Sequence, residues 1–245
     1  MTVKSGVVVG LALCGALMAG QVLADCVSAP VAGARDFSVC KAWPAFPGLT
    51  LKAVSKFEPD PVYGKTGDVG SYDLALSVVS VEDPEPLATY HKPSAFQSDA
   101  FALENLEFDT ARYKLTPETR AFGVRVVFKG SSRVNPMDET SLSLYVKEGD
   151  TLRPVLDRLV VYGYNGEWDG NCAGERASTL RTIEIGKTSS HGYADLIVKS
   201  VTTGTVGKGD PDTCDEKTTT GKPVLTTLRY DGKSYVLPKG FKAIE

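Results

Sequence analysis

Ala121-Phe122-Gly123-Val124-Arg125-Val126-Val127-Phe128 is the stretch that decides the fold class. Read with period two, Phe122, Val124, Val126 and Phe128 fall on one face, whereas a helix would scatter them around its axis. The same alternation aligns Leu142, Leu144 and Val146 in Ser141–Val146, and Leu74, Leu76 and Val78 in Asp73–Val79. Such patterning belongs to half-buried antiparallel strands. Leu49–Val54, residues 152–161 and Leu180–Ile185 are further strand candidates. Turn signals lie between them: Glu148-Gly149-Asp150, Asn165-Gly166, Asp169-Gly170 and Asp231-Gly232. Asp231-Gly232, between Leu225–Tyr230 and Lys233–Leu237, predicts a two-residue hairpin, because Gly accepts positive φ. The spacing of Phe96, Ala100 and Leu103 allows a short helix over Ser94–Asn105, while Phe101 and Leu103 also fit a strand. The class expected is mainly β, with antiparallel, sandwich-like sheets.

An internal match extends this reading. Gly70-Ser71-Tyr72-Asp73-Leu74 recurs as Gly192-Tyr193-Ala194-Asp195-Leu196, and Phe108-Asp109 followed by Tyr113 and Leu115 recurs as Tyr230-Asp231 followed by Tyr235 and Leu237. At a constant offset of 122, segments 70–115 and 192–237 share nine identities, which sit on apolar strand positions and on the turn Asp. That placement predicts a duplicated strand–hairpin unit. Residues 25–130 and 141–245 are read as N-terminal and C-terminal β units that can pack as one domain, with the polar stretch Lys129–Thr140 as the boundary. Glu58–Gly70 and Thr202–Lys222 read as loops.

The N-terminus carries an address. Lys4 precedes an apolar run from Gly6 to Leu23, and Val22-Leu23-Ala24 fits the small-residue cleavage rule, so residues 1–24 read as a secretory signal peptide. No second apolar run of membrane length follows, so no transmembrane segment is expected after signal removal. Removal also takes Cys14 and leaves Cys26, Cys40, Cys172 and Cys214. An even number in an exported chain predicts two disulfides. Three connectivities are open. Pairing within each half, Cys26–Cys40 and Cys172–Cys214, is the one favoured. The expected location is periplasmic or secreted.

Composition narrows the function. The 245 residues carry a net charge of −3, which argues against nucleic acid, since phosphate neutralisation needs a concentrated basic face. Only His91 and His191 are available, which disfavours His-based metal sites and His-dependent catalysis. No CxxC is present for zinc. Ser190, His191 and Asp195 lie close in sequence, but Ser190 and His191 are neighbours in a turn, and no Gly-x-Ser-x-Gly elbow exists. The acidic stretch Gly209–Glu216 departs from the EF-hand pattern and reads as a solvated loop pinned by Cys214. No cofactor and no metal site are expected. Tyr162, Tyr164 and Trp168, together with Trp43, form the candidate aromatic recognition set, because Tyr and Trp bury large areas at low entropic cost. The expected function is non-enzymatic binding of a protein or envelope component, as an inhibitor or immunity-type protein acting on an envelope enzyme. The alternatives are an envelope hydrolase without a recognisable motif and an envelope assembly factor.

Overall fold

The computed structural model of the chain describes Cys26 and residues 35–64, 69–83 and 85–243; the signal segment read over 1–24 lies outside them. The described residues form thirteen strands: β1 (Phe37–Ala42), β2 (Leu49–Ser55), β3 (Phe57–Pro59), β4 (Gly70–Ser80), β5 (Pro86–Ser98), β6 (Phe101–Asp109), β7 (Phe122–Gly130), β8 (Met137–Glu148), β9 (Thr151–Trp168), β10 (Gly174–Ser190), β11 (Tyr193–Lys208), β12 (Asp215–Thr220) and β13 (Val224–Leu228). No α-helix occurs among the described residues. All thirteen strands belong to one hydrogen-bonded sheet. It is mixed only through the parallel contact of β5 with β9 at Thr89 and Thr151, and every other pairing is antiparallel.

The sheet curls into layers because its apolar faces must meet. Leu51 and Ala53 from β2, Leu74, Leu76 and Val78 from β4, and Ala88 from β5 face Leu106 and Phe108 from β6 and Phe122, Val124 and Val126 from β7. This first core closes laterally where Lys41 Nζ on β1 donates to the Phe108 carbonyl at 3.0 Å. A second core lies between β8–β9 and the β10–β11–β13 layer, around Leu142, Leu144, Leu156, Leu159, Leu196, Val198 and Leu228. Strand β8 serves both. Leu142, Leu144 and Val146 enter the second core, while Tyr145 enters the first.

The cores cross the boundary at residues 129–140. The first core takes Tyr145 and Leu152, and the second takes Tyr113, Leu115 and Ala121. Lys129 pairs with Asp138 and Val127 with Thr140, so the polar stretch is the turn end of the β7–β8 hairpin.

Several local expectations change. Ser94–Asn105 is strand, turn and strand, because Phe96 and Phe101 both seek the first core's end from opposite layers. Asn165-Gly166 lies inside β9. A Cβ on Gly166 would come within 2.9 Å of the Glu175 carbonyl, so this glycine serves close cross-strand approach. Much of Thr202–Lys222 is hairpin: β11 runs to Lys208 and pairs with β12 from Thr203–Thr220 to Lys208–Asp215. Asp231-Gly232 is not a two-residue hairpin. Tyr230 bridges Tyr235 across four residues, and Asp231 Oδ1 accepts the Lys233 and Ser234 amides, both at 2.8 Å. The side chain's own turn preference outcompetes the tighter connection.

The matched segments share burial more than pairing. Leu74 and Leu196, Leu106 and Leu228, Tyr113 and Tyr235 are all buried, but Leu103 is buried while Leu225 is 66% exposed. β6 pairs with β7, whereas its counterpart β13 pairs with β11. The two turn aspartates also differ. Asp109 accepts Arg125 Nε and Nη2 at 2.9 and 2.7 Å, Tyr113 Oη at 2.9 Å and the Ala111 amide at 2.9 Å. Burial works against its charge, but these donors outweigh burial and hold the carboxyl below its ordinary value.

We expect Asp109→Asn to cost about 2 kcal/mol at pH 7, the scale of charged hydrogen bonds in a partly buried pair. The folded pKa lies below the unfolded one. The contribution is therefore complete at neutral pH and disappears as pH falls through the depressed folded value. Urea unfolding of both proteins at pH 7 and at about pH 2.5 checks this, and a difference undiminished in acid would rule out the charge as its source.

Candidate functional site

The aromatic residues singled out by the sequence separate into two groups. Trp43 is 2% exposed and sits in the first core, its ring 5.2 Å from Phe122 and 4.5 Å from Phe46. With Phe46 and Arg120 it lines a recess of about 240 Å³, but it is too far inside to anchor a large partner. Tyr162, Tyr164 and Trp168 lie on β9 at even positions. In a regular strand such positions share a face and advance about 6.8 Å per pair. The Asp169-Gly170 turn and the Cys172–Cys214 disulfide close the end of β9 that carries this face.

Pairing of β9 with β10 ends at Tyr162 and Leu180. Beyond that point β10 and β11 continue over the second core, while β9 joins the opposite layer. On the other side of the fork, residues 162–168, 174–180, 201–208 and 215–220 form a four-stranded antiparallel arm. Its residues are mostly half-buried or exposed on both faces. Little apolar surface holds it together, so covalent and polar contacts matter more. The Cys172–Cys214 disulfide ties the β9–β10 turn to the start of β12, and Cys26–Cys40 pairs likewise. Asp169 Oδ1 closes the turn by accepting the Asn171 and Cys172 amides at 2.8 and 2.7 Å. These amides hold the Asp169 carboxyl below its ordinary value.

Cross-strand register defines what shares the face with the aromatic row. Tyr164 faces Ser178, then Thr203, then Thr220; Gly166 faces Arg176, then Thr205, then Thr218. Thr203 and Thr220 hydroxyls are 3.1 Å apart, and those of Thr205 and Thr218 are 2.9 Å apart. Arg176 fills the space left by Gly166. Its guanidinium lies 4.9 Å from the Trp168 ring centroid and donates to Glu216 Oε1 at 2.5 Å. Trp168 Nε1 donates to the Arg133 carbonyl at 2.8 Å. The indole is thus fixed at its nitrogen and covered by a cation on one face. The face spans about 14 Å across four strands and about 20 Å along β9.

Arg176, Ser178 and the four threonines were not candidates in the sequence. The Thr-x-Thr spacing at 203 and 205, and again at 218 and 220, was the available signal. It lay in a stretch whose polarity reads as loop.

Ser190, His191 and Asp195 do not assemble a relay. Ser190 Oγ donates to Asp195 Oδ1 at 2.7 Å and Thr188 Oγ1 donates to Oδ2 at 2.5 Å, which holds the carboxyl below its ordinary value. His191 instead donates from Nδ1 to the Tyr230 carbonyl at 2.8 Å, since a carbonyl can only accept. His191 and Gly192 both have positive φ and form the two-residue turn joining Ser190 to Tyr193. His91, on an exposed stretch of β5, lies 3.7 Å from Asp73. Within Gly209–Glu216, Pro211–Thr213 form a 3-10 turn and Glu216 is taken by Arg176. Among the described residues no three His, Cys, Asp or Glu side chains gather to hold a metal ion. No described helix is long and apolar enough to cross a membrane.

Comparisons with protein-family models, curated proteins and solved structures find no match for this chain.

Proposed function

We propose that the protein is a non-enzymatic binding protein of an oxidising, extracytoplasmic compartment, periplasmic or secreted. It uses the aromatic face of the β9–β12 arm to engage a protein partner, as an inhibitor or immunity-type protein blocks an envelope enzyme. The observation that carries this reading is the alignment of Tyr162, Tyr164 and Trp168 beside Arg176 on one stapled face. Trp, Tyr and Arg are the residues that dominate protein–protein binding energy. Two disulfides support the compartment, because such bonds persist in oxidising surroundings. The Thr pairs and the Arg176–Glu216 ion pair hold the face rigid, which lowers the ordering cost of association.

The test is capture from envelope extract by the oxidised mature protein, followed by affinity measurement on the captured protein. Tyr164→Ala and Trp168→Ala are each expected to weaken that affinity about 30-fold, equivalent to about 2 kcal/mol. Turnover of an envelope substrate by the purified protein alone would refute the proposal, as would undiminished affinity in both variants.

A further inference from the structure

The recess beside Trp43 carries charged groups that have no ion-pair partners. Its volume is about 240 Å³, and it opens between the β1–β2 turn, the turn at residues 116–119 that precedes β7, and the end of β8. Trp43, Phe46 and Leu49 give it an apolar side. Glu118, Arg120 and Lys147 bring one negative and two positive charges, and Thr119 adds a hydroxyl.

Both turns are firmly built. Pro44 and Pro47 restrict the first, the Trp43 amide donates to the Leu49 carbonyl at 2.9 Å, and the Gly48 carbonyl accepts the Val81 amide at 2.9 Å. In the second, Thr116 Oγ1 accepts the Glu118 and Thr119 amides at 3.1 and 2.8 Å, and the Leu115 amide donates to the Thr119 carbonyl at 3.0 Å. The recess is therefore held open by backbone hydrogen bonds and not by its own charged side chains.

Arg120 is the exception among the half-buried arginines of the described residues. Arg125, Arg153, Arg158 and Arg176 each form an ion pair with a carboxylate, and Arg181 donates to the Val160 carbonyl at 2.9 Å. Arg120 does neither, and its Nε is shut off from solvent without a hydrogen-bond partner. A shielded cationic donor with no acceptor is costly, and packing alone does not select it. Glu118 forms no ion pair either, since its Oε2 accepts only the Thr116 hydroxyl, at 3.2 Å. Lys147 Nζ donates to the Gly149 carbonyl at 2.6 Å, which leaves two of its three protons. Opposite charges thus line one recess without pairing to each other.

We propose that this recess binds a free aromatic α-amino acid. Its carboxylate lies on Arg120 with Lys147 beside it, its ammonium on Glu118, and its ring against Phe46 and Leu49 at the edge of Trp43. The planar guanidinium matches a carboxylate through two parallel hydrogen bonds. The volume, at the small end for ligand pockets, suits about twelve non-hydrogen atoms, and an apolar wall with a few convergent polar groups is the usual form of such a site. Charge decides among ligand classes. A simple carboxylate leaves Glu118 facing it, a simple amine leaves Arg120 unmatched, and a phosphate dianion is repelled by Glu118. A zwitterion satisfies both signs.

The probes are L-phenylalanine, hydrocinnamate (the same skeleton without the ammonium) and phenethylamine (without the carboxylate). Each is titrated into the oxidised full chain and followed by calorimetry and amide chemical shifts. Phenylalanine is expected to bind with a Kd of roughly 10⁻⁴ M, ordinary for its size, and each analogue at least about tenfold more weakly. Arg120→Gln should weaken phenylalanine at least about tenfold and remove its advantage over phenethylamine. Glu118→Gln should remove its advantage over hydrocinnamate. Glu118 is exposed, so this second variant and the three-probe comparison on the unaltered protein decide the matter should Arg120→Gln fail to fold. Shifts should centre on Phe46, Leu49 and residues 118–120. Equal binding of the three probes, no saturation by phenylalanine below about 5 mM, or shifts centred elsewhere would each overturn the proposal.

Discussion

Phe122→Ala is expected to destabilise the protein by about 3–5 kcal/mol, the range for emptying a buried aromatic site. Phe122 is 0% exposed and lies among Trp43, Phe108 and Tyr145, with ring centroids at 5.2, 5.9 and 5.8 Å. Those three rings come from the β1–β2 turn, β6 and β8, so the cavity left behind touches both layers of the first core. Aromatic neighbours fixed by backbone hydrogen bonding collapse poorly, which keeps the cavity cost high. The loss should not stay in one core, because Tyr145 shares β8 with Leu144 of the second core. At about 2–4 °C per kcal/mol for a chain of this size, the melting temperature should drop by roughly 6–20 °C. Val224→Ala, at a position 60% exposed, should stay within about 0.5 kcal/mol and serves as the control. Urea unfolding followed by fluorescence and circular dichroism measures both. A loss below about 1 kcal/mol for Phe122→Ala would mean that the first core tolerates the void.

Removal of the Cys172–Cys214 bond, by replacing both with alanine, is expected to have the second large effect, and a local one. The bond spans 42 residues, for which loop-closure entropy corresponds to about 4 kcal/mol. Cys172 is 1% exposed, but the arm around it contributes no residue of β9 beyond Val161, and none of β12, to either core. Without the bond, the arm retains main-chain pairing, the Asp169 turn and the Thr and Arg176–Glu216 contacts. Opening of the arm should therefore become easier while β7 and β8 keep their protection. Hydrogen exchange should show the amides of β11 and β12 at residues 203–208 and 215–220 exchanging at least about 100-fold faster, with the β7–β8 amides changed far less. Equal acceleration in both regions would show that the arm and cores unfold as one unit. Partner affinity should fall in the same variant, because the aromatic face is presented by the segment that opens.

Legibility in the sequence followed the strength of local alternation. Strands β2, β4, β7, β8 and the inner part of β9 were readable because one face is buried, so apolar and polar residues alternate there. Tyr162, Tyr164 and Trp168 were readable as an aromatic set, yet their common face followed only once Asn165-Gly166 proved to be strand. The outer part of β11 and all of β12 were missed, since a sheet solvated on both faces needs no apolar residues. Ser94–Asn105 is ambiguous between helix and strand in the sequence, because Phe96, Ala100 and Leu103 fit a helical spacing and only the partner strands select the strand that Phe101 and Leu103 also fit.

The sequence by itself determined the β class and the period-two faces, marked Asp109 and Asp231 as turn residues, and favoured one of three cysteine connectivities, the pairing within each half. These are local properties, set by side-chain alternation, by Asp reaching its own backbone and by short loop closure. Tertiary structure alone decided which strands are neighbours, that β8 lines two cores, that Trp43 is inside while Trp168 is outside, and that the β9–β12 arm leaves both cores. Alternation assigns a residue to a side of its strand but not to a partner. The parallel β5–β9 contact, from Thr89 to Thr151, joins strands far apart in the chain and has no local signal in either of them.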